Sequence, residues 1–304
     1  MTPSSKEGAI DLRTLRDGKT QVRLTFGEFH IKGLRRSSDR RWFGFEHQPL
    51  DKRGDNPEWE IDIYLEPMTK KGSIPQCRRL LAIASLGKGV AVQREDGIEI
   101  WSVDGKKLKT APFECKKIDA AAFSPNGEVL AVNDGNSLEV WNWEEGSHRR
   151  IRLGRSVSSL EFSPDGKLLA EGPSPREDIR IRDAKTLEVV RNLKPGTESS
   201  MDMASMAFLP GGHLLVGCDK TKYDESIDVS RLHLWDAATG KIVHQLTTPG
   251  RPVFFDTSRN GRYLVALVDE SDGASMVTWR LDGEDPPGID DNRPAADAQR
   301  PAKQ

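Results

Sequence analysis

The sequence predicts an all-β fold in which one four-stranded antiparallel unit repeats around a ring, and three observations predict it. A turn rich in Pro and Gly recurs with a strand after it. An alternating strand that usually ends in Trp follows each time. The pair repeats at a near-constant spacing. The turn copies are Phe123-Ser-Pro-Asn-Gly127, Phe162-Ser-Pro-Asp-Gly166, Phe208-Leu-Pro-Gly-Gly212 and Asp256-Thr-Ser-Arg-Asn-Gly261. The alternating strands are Ile98-Glu-Ile-Trp101, Leu138-Glu-Val-Trp141, Ile179-Arg-Ile-Arg182, Leu232-His-Leu-Trp235 and Met276-Val-Thr-Trp279. Their ends lie 40, 41, 53 and 44 residues apart, close to the period of about 40–45 residues that marks the blades of a β-propeller.

Each part of the unit has a physical reason. Alternation as in Leu232-His-Leu-Trp235 puts apolar side chains on one sheet face and polar ones on the other. In Pro-Asn-Gly and Pro-Asp-Gly, Pro presets φ, Asn or Asp bonds the backbone, and Gly accepts positive φ. Asp236–Gly240 and Val103–Gly105 turn the chain again after the Trp strand. Two weaker copies extend the series upstream. Ile83–Val92 aligns without gaps on Phe123–Val132 and places Gly87 at the position of Gly127; Arg36–Phe45 aligns on the same template, with Ile61-Asp-Ile-Tyr64 as its third strand. A last echo, Ile10-Asp-Leu-Arg13, precedes a turn at Asp17-Gly18. The count is six blades, with seven as the alternative. Residues 1–8 read as a flexible N-terminus, 9–281 as the propeller, and 282–304, rich in Asp, Pro and Ala, as a disordered tail.

These motifs resemble the WD-repeat propeller family. Trp235-Asp236 is an intact Trp-Asp pair and Arg182-Asp183 keeps the Asp. The likeness covers residues 34–281 and is strongest over 117–281; the Gly-His pair that opens many family repeats is missing. The resemblance implies that Trp101, Trp141, Trp235 and Trp279 pack between blades, and that Asp96, Asp134 and Asp178 are structural turn residues. It also implies that the first outer strand completes the last blade. Lys19–Phe26, which aligns with Lys241–Thr248, is expected to do so for the blade ending at Trp279.

Composition narrows the function. Lys plus Arg is 45 and Asp plus Glu is 47, a formal charge of −2, so no basic excess points to nucleic acid. The basic stretch Arg35-Arg36 and Arg40-Arg41 is balanced by acids elsewhere. No run approaches the 18 apolar residues of a membrane span, and the start shows no signal-peptide core. Cys77, Cys115 and Cys218 are too scattered for a disulfide framework and read as buried thiols of a reducing compartment. The six histidines show no metal-ligand pairing, and there is no Gly-x-Ser-x-Gly elbow or Walker loop. Asp219, Asp224, Glu225 and Asp228 do not follow a calcium-loop spacing.

Loops carry the remaining signal, because strands are scaffold and binding groups ride on connections. Three connections are long: His47–Glu58, Lys194–Asp202 and Cys218–Ser230. The resemblance places all three on one face. Trp59, Asp55, Glu198, Tyr223 and Arg231 on or beside them are the candidate partner-binding residues, with Trp59 as an exposed aromatic anchor. The expected protein is therefore a cytoplasmic, monomeric, non-enzymatic scaffold for a protein or peptide partner. It has no catalytic or metal residues, no cofactor, and no nucleic-acid or membrane partner. The alternative is a propeller hydrolase of the lactonase kind, or the accessory or sensor propeller of a larger enzyme or signalling protein.

Overall fold

Alternating side chains produce strand after strand. The computed structural model describes residues 9–13, 20–25, 29–49, 59–66, 69–115, 117–155, 157–173, 178–194, 199–201, 206–210, 212, 214–221, 230–248, 251–258, 260–270 and 273–281. The expected termini, 1–8 and 282–304, lie outside the described residues.

Five antiparallel sheets are complete blades. The first holds β3 (Phe29–Arg36), β4 (Trp42–Pro49), β5 (Trp59–Leu65) and β6 (Thr69–Cys77); the second β7 (Arg79–Ile83), β8 (Val90–Arg94), β9 (Gly97–Trp101) and β10 (Lys107–Thr110). The third holds β11 (Ala120–Phe123), β12 (Val129–Asn133), β13 (Ser137–Asn142) and β14 (His148–Arg152); the fourth β15 (Val157–Phe162), β16 (Leu168–Pro173), β17 (Ile179–Asp183) and β18 (Val189–Leu193). In the fifth, the inner strand comes in two pieces, β19 (Ser199–Met201) and β20 (Met206–Phe208), both paired with β21 (Leu214–Thr221), followed by β22 (Ser230–Trp235) and β23 (Ile242–Thr248).

The last sheet departs from expectation. It has three strands, β24 (Arg251–Thr257), β25 (Tyr263–Glu270) and β26 (Gly273–Arg280), and among the described residues no fourth strand joins it. The segment expected to complete it forms β2 (Thr20–Thr25), which pairs with β1 (Ala9–Arg13) as a separate hairpin. The expectation of six four-stranded blades is thus corrected to five. The reason is local: only residues 14–19 separate β1 from β2 in the chain, so pairing with each other closes a much smaller loop than pairing with β26 would.

Apolar clusters lie at the junctions between successive sheets. Ile61, Ile63 and Ile74 of the first blade meet Leu80, Val90 and Val92 of the second. Ile98 and Ile100 meet Leu130 and Trp141; Leu138 meets Leu160 and Leu169; Ile179 and Ile181 meet Phe208 and Trp235; Leu232 and Leu234 meet Leu264 and Val268. Each repeat-position Trp packs with the blade before it. Trp141 and Trp235 are fully buried, whereas Trp101 and Trp279 are half-buried against their clusters. Where Arg182 replaces Trp, the second strand compensates. Its Nε donates to Oε1 of the fully buried Glu171, and Nη1 donates to the Leu187 carbonyl at 2.7 Å. A buried charge is tolerated only when paired in this way.

Candidate functional site

The innermost strands β3, β7, β11, β15, β20 and β24 surround a central channel of about 630 Å³. One level of its wall can be traced through the repeat. The residue five places before the turn position is Ala82, Ala122 and Ala207 in three sheets, but Arg35, Glu161 and Asp256 in the other three. The next place along is Ile83, Phe123, Phe162 and Phe208 in four sheets and Arg36 in the first, all lining the channel; in the last sheet it is Thr257. Small alanines leave the space into which the charged groups project.

The charges meet between the last sheet and the first. Arg36 Nη2 donates to Asp256 Oδ1, and Arg40 Nε stands 4.0 Å from the same oxygen. Arg40 Nη1 donates to the Ser258 carbonyl at 2.8 Å and Nη2 to Thr257 Oγ1. Burial pushes the Glu161 carboxyl up to about 7, against the opposing pull of Arg36 and Arg40. Burial likewise raises Asp256 despite both guanidinia. Burial, and Arg36 beside it, lower Arg40. These are the effects of removing charges from water among few counter-charges.

Arg40 reaches its partners from an unusual backbone. One turn recurs between the first two strands of four sheets. The hydroxyls of Ser37, Ser124, Ser163 and Ser258 donate to Asp39, Asn126, Asp165 and Asn260 two residues on. Each hydroxyl also accepts from the backbone N–H five residues on: Trp42 at 3.1 Å, Val129 at 3.0 Å, Leu168 at 2.9 Å and Tyr263 at 2.9 Å. Gly127, Gly166 and Gly261 close three of these turns at φ of 73°, 72° and 71°; Arg40 closes the fourth at φ 59°. A left-handed non-glycine residue costs about 1–2 kcal/mol, and such strain concentrates at functional sites.

Inside the blades the charged groups are bound to one another. Burial works to raise Asp62, but hydrogen bonds from His47, Lys70 and Ser73 outweigh it and hold the carboxyl well below the usual range. Glu139, fully buried, faces His148 Nε2 at 2.7 Å and Arg150 Nε at 3.1 Å. Glu99 accepts from Trp101 Nε1 at 2.8 Å. His47, Glu60 and Asp62 bring three ligand atoms within 4.8 Å of one another. Lys70 Nζ sits 2.8 Å from Asp62 Oδ2 and supplies a positive charge there, so we read this group as an ion-pair cluster. Burial pushes the thiols of Cys77 and Cys115 up to about 12, which leaves them poor nucleophiles.

The residues singled out from sequence fall differently. Trp59 is 4% exposed, so the expectation of an exposed anchor is corrected: it sits at the start of β5 with its indole turned inward. Asp55, Glu198 and Tyr223 lie outside the described residues, and Arg231 is placed on β22 by its backbone alone. Asp134 Oδ1 accepts from Ser137 N at 2.9 Å, a turn bond of the expected kind. Asp96 is exposed in its turn, and Asp178 takes part through its carbonyl, which accepts from Arg155 at 2.8 Å. The channel quartet of Arg36, Arg40, Glu161 and Asp256 was not assembled from sequence. The signal was available: Glu161 and Asp256 stand where three repeats have alanine, Arg36 where four have phenylalanine or isoleucine, and Arg40 where the others have glycine.

Comparisons with known proteins agree with this architecture. An uncharacterized WD repeat-containing protein of Synechocystis sp. (strain ATCC 27184 / PCC 6803 / Kazusa) is 30% identical over 98 residues. The match takes in 30% of this chain and 28% of that protein's length. No family model matches. A chain of Kuenenia stuttgartiensis hydrazine synthase superposes with a TM-score of 0.58 at 17% identity, covering 80% of this chain and 75% of that one; the likeness is one of fold. Among the described residues, no helix is long and apolar enough to cross a membrane.

Proposed function

We propose that this WD-repeat-type β-propeller is a binding scaffold that presents one face of connecting loops to a protein partner. The observation that carries the reading is where the long connections are anchored. β4 ends at Pro49 and β5 begins at Trp59, and β21 ends at Thr221 and β22 begins at Ser230; the third expected connection is cut to five residues, because β18 ends at Leu193 and β19 already begins at Ser199. With antiparallel order in each sheet, all three pairs of ends fall on the face opposite the serine turns. Rigid sheets that hold long connections on one side suit partner recognition. The ion pairs inside the blades serve the fold, which leaves recognition to the loops and the channel.

The test is to replace residues 50–58 and 222–229 with short Gly-Ser linkers and compare captured proteins by mass spectrometry. The expected result is loss of specific partners at an unchanged melting temperature. Capture of the same proteins by both forms would refute the reading. The propeller-enzyme alternative would act through the channel carboxyls Glu161 and Asp256. Stoichiometric metal in the purified protein would favour it.

A further inference from the structure

Charge in the channel is out of balance at one corner. Arg35 and Arg36 come from β3 and Arg40 from the turn after it; Asp256 on β24 and Glu161 on β15 are the acids that face Arg36 and Arg40. Asp39, at the same mouth, is already committed: it accepts from Ser37 Oγ, from Arg41 N at 3.2 Å and from Leu86 N at 2.9 Å. On β7, Arg79 donates to the Ile118 carbonyl at 2.9 Å; beside β11, Asp119 pairs through Oδ1 with Lys117 at 3.1 Å, and its buried Oδ2, with no hydrogen-bond partner among the described residues, lies on the β11 side of the channel away from Arg36 and Arg40. β20 brings only Met206, Ala207 and Phe208. One committed carboxylate and one carboxyl biased to its acid form therefore face a cluster of guanidinia.

Acceptors are short as well. Asp256 Oδ1 takes the hydrogen bond from Arg36, and the buried Nε of Arg40 has no hydrogen-bond acceptor among the described residues. Glu161 faces Arg36 and Arg40, which favour its charged form, and the like-charged Asp256, which opposes it. A buried donor without an acceptor is costly, by about 1–3 kcal/mol in general.

We propose that this corner of the channel binds the carboxylate of a small organic acid with an apolar body. A carboxylate against Arg36 supplies the missing negative charge and acceptor oxygens, and frees Asp256 to serve Arg40. Glu161 in its acid form donates its O–H to the ligand oxygen, so binding takes up a proton at this residue when the medium is alkaline. The apolar body lies along Leu160, Met206, Phe208 and Phe255, which line the same channel. A volume of about 630 Å³ is in the range that holds small ligands. The site is independent of partner docking by the loops.

The experiment is calorimetric titration of the full chain with sodium hexanoate at about pH 6 and about pH 8, with hexylamine and inorganic phosphate as comparison probes. Hexanoate is expected to bind roughly tenfold more tightly at the lower pH, because the acid form of Glu161 dominates there. Glu161→Gln, which keeps a donor, is expected to bind equally at both. Arg36→Gln is expected to weaken binding at least tenfold. Absence of hexanoate binding at millimolar concentration, a wild-type affinity indifferent to pH, or tighter binding of hexylamine or phosphate would each overturn the proposal. Should Arg36→Gln fail to fold, the pH comparison between wild type and Glu161→Gln decides alone.

Discussion

The junction between the last sheet and the first differs in kind from the other five. Those five are apolar, each with its own cluster of buried side chains. Among the described side chains no such cluster bridges β24–β26 to β3–β6; Arg36 and Arg40 reach across to Asp256, Thr257 and Ser258 instead. Apolar contact is indifferent to pH and modest salt, whereas charge contact depends on both. The repeat therefore builds a ring whose strength is uneven by chemistry rather than by sequence similarity alone.

The contrast can be broken from the apolar side first. Trp141→Ala removes a fully buried indole that also meets the Phe113 ring edge-on at 6.0 Å. It is expected to cost about 3–5 kcal/mol, measured by denaturant unfolding, with little dependence on salt or pH.

A smaller effect belongs to Glu161. Its carboxyl is raised in the folded chain from 4.5 to about 7, so folding favours the acid form. Its contribution is fully present below about pH 4.5 and is lost as pH rises through about 7. Glu161→Gln should remove that loss and gain about 3 kcal/mol at alkaline pH, with no gain in acid. Equal stability of the two proteins across this range would show that the carboxyl is better solvated than the channel geometry implies.

The smallest change is expected from Arg40→Gly. Relief of the left-handed backbone and loss of two hydrogen bonds oppose each other, so the net shift should stay within about 1 kcal/mol. Hydrogen exchange should nonetheless quicken in β24 and β3, and nowhere in β7–β18.

Much of the fold was readable because the repeat writes the same physics several times. Ser163-Pro-Asp-Gly166 announces its own turn, and Leu138-Glu-Val-Trp141 its own buried face. What could not be read was pairing between distant or ambiguous edges. The alternation of Thr20–Thr25 suits an outer strand of any sheet, and it settled against β1. The channel failed for a related reason: the pair Arg36 and Arg40 is far in sequence from Glu161 and from Asp256, and they meet only when the ring forms. Trp59 failed because position beside a polar loop does not reveal which way an indole points. Arg182 looked like a lost motif until Glu171 supplied its counter-charge.

The unlike joint has a mechanical corollary. A ring whose links are equal has no preferred place to open, but one with a single unlike link can behave as a linear array bent into a circle, each unit leaning only on its neighbours. Loosening then starts at two ends that already exist, at β24–β26 and β3–β6, and proteases or rising ionic strength should find those sheets before any of the sheets between them.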